Sequence, residues 1–97
     1  MSWRESKEVR AAKQAAWDFR FYGTARAVTV RRLLPTHEIE MHTKPKQGQI
    51  DWIVEGRHTI TWTNDGDPEF TVITNDGKAS SSANDLSTIV EWMKQNP

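Results

Sequence analysis

The chain has 97 residues, enough for one domain, and its 13 Lys and Arg offset 13 Asp and Glu to a formal net charge of zero. Those totals exclude a globally basic nucleic-acid protein and an acidic mimic, and the lack of Cys excludes disulfides, thiolate zinc sites and cysteine nucleophiles. Only 18 residues are Leu, Ile, Val or Phe, a lean core, but five Trp can each bury roughly 150–250 Å² and zero net charge argues against disorder.

Residues 3 to about 22 read as a helix, rich in Ala, Glu, Lys and Arg, with Ser2 or Ser6 as cap and Gly23 as stop. Val9, Ala12, Ala16 and Phe19 share one face of it. Beyond Gly23 the period changes, and Ala27 to Leu34 alternates as a strand ending at Pro35. Glu38 to Thr43 sets Ile39 and Met41 against Glu38, Glu40 and His42, which predicts an edge strand with one wet face. Thr43 to Gln49 is a loop.

Ile50 to Glu55 and Arg57 to Thr63 are joined through Gly56 and Arg57 as a hairpin, and the turn Asn64 to Pro68 leads to a further strand, Glu69 to Asn75. These three form an antiparallel meander with His58, Ile60, Trp62, Phe70 and Val72 on its buried face. Ser82 and Asp85 have capping-box spacing before Leu86, Ile89, Val90 and Met93, the inner stripe of a last helix. The expected fold is a single α+β domain over 1–97: an N-terminal helix, an antiparallel sheet of four to five strands, and a C-terminal helix, both helices on one sheet face.

The zero net charge conceals an asymmetry. Residues 1–32 hold eight cations against three carboxylates, a net +5, and residues 33–97 hold five cations against ten carboxylates, a net −5. A basic N-terminal surface would meet phosphate or an acidic protein, and internal neutralisation against the acidic remainder is the competing account. The helical cations spread over more than half of the circumference, which is not the concentration a groove-reading helix shows. The stretch Trp17 to Tyr22, with Arg20, Arg26, Arg31 and Arg32, interleaves rings and guanidinium groups as single-strand stacking platforms do. It serves equally as the apolar joint between the first helix and the first strand, with Trp3, Trp17 and Trp92 partly exposed.

The remaining titratable groups assemble into no chemistry. His37 and His42 are five apart and fall on opposite strand faces, His58 has no predictable partner, and all three read as isolated. The acidic turn Asn64 to Glu69 lacks a calcium-loop series, and the Asp76 turn lies at the far end of the intervening strand. No nucleophile sits beside a base, so no enzyme, metal or cofactor is expected. No apolar run reaches the ~18 residues of a membrane span, and a polar start predicts a cytoplasmic protein without a membrane partner. The function expected is an accessory or inhibitor-type domain that binds a protein partner through Trp3, Arg10, Trp17, Arg20, Tyr22, Arg26, Arg31 and Arg32. Nucleic acid bound by Arg20, Arg26, Arg31, Arg32, Trp17 and Tyr22 is the alternative, and homo-oligomerisation fits either.

Overall fold

A computed structural model describes residues 6–97 of the chain. Its first element is a 27-residue helix, α1 (Lys7–Leu33), capped by Ser6, whose Oγ accepts from Val9 N at 3.1 Å. The helix does not stop at Gly23. It runs through that residue and absorbs the stretch expected as a strand over 27–34.

The reason is visible in the packing. Phe19, Gly23, Val30 and Leu34 are buried, and they recur at spacings of 4, 7 and 4, which is helical. A β-carbon on Gly23 would stand 2.9 Å from Ile50 Cδ1 and 3.4 Å from Trp62 Cζ3. Gly23 is therefore the point at which helix and sheet touch, and its missing side chain sets that closeness instead of ending the helix.

The sheet is a five-stranded antiparallel meander in chain order, β1 (Ile39–Lys44), β2 (Gln49–Val54), β3 (His58–Thr63), β4 (Phe70–Thr74) and β5 (Ser80–Ala83). A short 3-10 turn, Pro45–Gln47, joins β1 to β2. Between β2 and β3, Arg57 N donates to Val54 O at 2.9 Å, and Glu55 and Gly56 both take positive φ. That is the primed turn hairpins favour, centred one residue earlier than the spacing predicted.

β5 occupies a segment expected to be capping sequence, so Ser82 is paired with Thr71 in the sheet and does not cap the last helix. That helix, α2 (Leu86–Gln95), begins after Asp85, and Asp85 makes no side-chain bond to its backbone.

Both helices cover the same sheet face. Ile50, Trp52, Val54, Ile60, Trp62, Phe70 and Val72 meet Phe19, Val30 and Leu34 of the first helix and its C-terminal cap, and Leu86, Ile89, Val90 and Met93 of the second. The opposite face carries Thr59, Thr61, Thr63, Thr71 and Ser82, and nothing packs over it among the described residues. Trp92 is partly buried, edge-on to His58 with ring centroids 6.3 Å apart.

Candidate functional site

Only the C-terminal half of α1 is docked. From Lys7 to Trp17 every residue is exposed, although Val9, Ala12 and Ala16 continue the stripe that Phe19 and Gly23 bury further along. A helix of this length spans about 40 Å. The molecule is correspondingly long, 58 × 24 × 20 Å.

The outward face of α1 carries a second apolar stripe. Trp17, Phe21 and Val28 are 60%, 59% and 61% exposed, and Tyr22 beside them is 45% exposed. The rings of Trp17 and Phe21 lie 6.3 Å apart, and Phe21 meets Tyr22 edge-on at 5.2 Å. At about 100° per residue, Trp17, Phe21 and Val28 fall within about 40° of one another and roughly opposite the docked stripe.

The cations join this face. Lys7, Arg10, Lys13, Arg20, Arg31 and Arg32 fall in the same arc of about 140°, and no carboxylate of α1 lies within it. Asp18 borders the arc and accepts from Gln14 at 3.0 Å. The extension of the helix past Gly23 is what brings Arg31 and Arg32 into line with Arg10 and Trp17. Arg26 alone of the described cations of α1 falls outside the arc, on the sheet side.

Two of the expected arginines are engaged elsewhere. Arg26 points to the sheet side, where its Nε donates to Glu69 Oε1, the same oxygen that accepts from the buried Trp62 indole at 2.6 Å. Its role is structural, and it does not share a surface with Trp17. Arg31 Nη1 donates to His37 O at 3.2 Å across the end of the helix. Arg10, Arg20 and Arg32 are exposed on the outward arc, and Tyr22 flanks it. Trp3 lies outside the described residues. Trp17 is exposed as expected, but with no strand at 27–34 there is no helix–strand joint for it to fill.

Phe21 and Val28 belong to the site and were missed. Their signal was present, at spacings of 4 and 11 from Trp17, but it was masked once Gly23 was read as a stop.

Two concavities adjoin this helix. The larger, about 1070 Å³, runs between α1 and the β1 edge, where Ala12, Ala16 and Phe19 face Met41 and Lys46. It exists because α1 sits over β2 and β3 and leaves the helix-side face of β1 uncovered; Met41 there is 52% exposed. The smaller, about 220 Å³, is lined by His37, Glu55, Arg57, His58 and Lys94 over an apolar floor. His37 and His58 both line this pocket, beneath the end of α1, without contacting each other through any hydrogen bond or ring pair. His58 Nε2 lies 2.6 Å from Asn96 O, and that bond holds the end of α2 to β3.

Among the described residues no group of three or more His, Asp or Glu is placed to hold a metal ion, and the Asp65 and Asp76 turns lie at opposite ends of β4. No described helix is long and apolar enough to cross a membrane. Neither the protein-family models, nor the curated proteins, nor the solved structures give a match to this chain.

Proposed function

We propose that the protein is a non-enzymatic docking domain that offers the outward face of α1 to a protein partner bearing an apolar groove with an acidic rim. The observation that carries this reading is the solvent-facing stripe of Trp17, Phe21 and Val28, set among cations on a helix whose opposite stripe already forms the core. Exposed large side chains at helical spacing are what helix-in-groove recognition uses, and Trp and Arg are the residues that most often dominate such contacts. The basic arc supplies steering toward acidic groups.

The test is a photo-crosslinking residue at Ala25, on the border of the arc, which is expected to capture a discrete protein partner and to lose it in Trp17→Ala/Phe21→Ala. Each truncation is expected to cost about 2 kcal/mol of binding. One observation favours a second reading, nucleic-acid binding: the arc holds no carboxylate of α1, and Trp17, Phe21 and Tyr22 offer ring faces beside Arg20, Arg31 and Arg32. Oligonucleotide affinity that falls steeply with salt and vanishes in Arg31→Ala/Arg32→Ala decides for that reading against the first.

A further inference from the structure

The geometry points to a second interface, independent of the outward face of α1: strand β1 pairs antiparallel with β1 of a second copy of this chain, joining two sheets into one of ten strands.

β1 and β5 are the edges of the sheet. β5 is four residues long and leads directly into α2, whereas β1 is six residues long, exposed from Glu40 to Lys44 and uncovered on its helix side. Proteins ordinarily blunt such an edge by shortening it, covering it, interrupting it with proline or lining it with charge, and of these devices β1 carries only charge, Glu40 and Lys44, of opposite sign. Here Pro45 comes only after the strand has ended.

The ladder with β2 fixes which groups face the open edge. Glu55 N donates to Glu38 O at 2.8 Å, and Glu38 is opposite Glu55 in the continuation of the Ile39–Val54 register. Antiparallel bonds alternate, so Glu40, His42 and Lys44 turn their backbone groups toward β2, and Ile39, Met41 and Thr43 turn theirs outward. A second strand can meet those outward groups.

The side chains then select the partner. On the open sheet face β1 presents Glu40, His42 and Lys44, acidic at the start of the strand and basic at its end. Within one molecule His42 Nε2 reaches Glu40 at 2.8 Å and Lys44 Nζ reaches Asp51 at 2.7 Å. An antiparallel copy reverses the order. In a two-fold pair centred on His42, Glu40 of each chain stands opposite Lys44 of the other, and Met41 opposite Thr43. Both charge contacts are attractive, and the Met41 and Thr43 backbone groups exchange hydrogen bonds. The same pairing lays Met41, exposed at present, against Thr43 of the second copy beside the large groove. A parallel copy would place Glu against Glu and Lys against Lys.

One edge strand buries less than the roughly 800 Å² per partner of a stable complex, so the dimer is expected to be concentration-dependent, forming between about 10 µM and 1 mM. Sedimentation equilibrium of the full chain over that range at low salt is the test. Glu40→Lys and Lys44→Glu each weaken the dimer, by on the order of ten-fold, because like charges then face each other twice. An equimolar mixture of the two variants regains association as a heterodimer, an outcome that a folding defect cannot produce. Thr43→Pro removes an outward N–H at a position where an edge strand tolerates proline, and abolishes the dimer while circular dichroism stays unchanged. A chain that is monomeric up to about 1 mM overturns the proposal. So does a dimer that survives Thr43→Pro, or one lost in Trp17→Ala/Phe21→Ala, which would put the contact on α1 instead.

Discussion

Glu69 ties a buried indole of the sheet to the first helix. One carboxylate oxygen accepts from the Trp62 indole N–H, which is buried in the core, and from the guanidinium of Arg26 on the helix. Glu69→Ala strands a buried donor, which costs about 1–3 kcal/mol, while Arg26→Ala leaves the indole paired and removes a partly exposed ion pair worth about 1 kcal/mol or less. Urea denaturation of the two variants should therefore rank Glu69→Ala as clearly the more damaging. Gly23→Val drives a branched side chain into Ile50 and Trp62 and is expected to lose about 1–3 kcal/mol by the same measurement, despite its better helix propensity. In the β4–β5 turn, the Lys78 N–H and the Thr74 hydroxyl hold the Asp76 carboxyl below the usual aspartate range. Its folded-state pKa is depressed, so its contribution to the turn is present above the ordinary aspartate value and is lost as pH falls through the lower folded value. Chemical shifts of the Lys78 amide in an acid titration should follow that loss.

At the scale of elements, α1 is two helices in energetic terms. The half from Phe19 onward shares the core, and the half before it is capped by Ser6 and, from Lys7 to Trp17, exposed throughout. Isolated helices of that length are marginal in water, so amides of Val9 to Ala16 should exchange with solvent much faster than those of Gly23 to Leu33. Uniform protection along α1 would mean that the free half is covered in solution. The elements that were legible in the sequence are those in which two signals agreed: alternation and turn chemistry for β2 to β4, and a 3-4 stripe for α2. Ala27 to Leu34 misled because Val28 and Val30 alternate while Ala27, Val30 and Leu34 are also spaced as a helix, and Gly23 tipped the choice. Its tertiary contact with Trp62 lay outside any local pattern. β5 was hidden for the opposite reason. Ser80 to Ala83 has almost no apolar content, and its strand form comes from backbone pairing with β4. Of the residues on the outward face of α1, Trp17, Arg10, Arg20 and Arg32 were picked out by type, whereas Phe21 and Val28 needed the true length of the helix, and Arg26 turned out to face Glu69.

At the scale of the molecule, truncating the outward stripe should not affect folding. Trp17→Ala and Phe21→Ala remove exposed side chains and are expected to change stability by no more than about 0.5 kcal/mol, checked by thermal melting, so any loss of binding reflects the surface itself.

The basic helix also changes what zero net charge means. Residues 7–33 carry a net +5 and residues 34–97 a net −5, and four of those five positive charges fall in the docked stretch 19–33, where Arg20, Arg26, Arg31 and Arg32 meet no carboxylate of the helix. The zero is thus a basic helix laid on an acidic remainder, not an absence of charge. At neutral pH and low salt the protein should barely migrate in an electric field, yet bind to both cation- and anion-exchange resins, one through the outward arc of the helix and the other through the sheet and its turns.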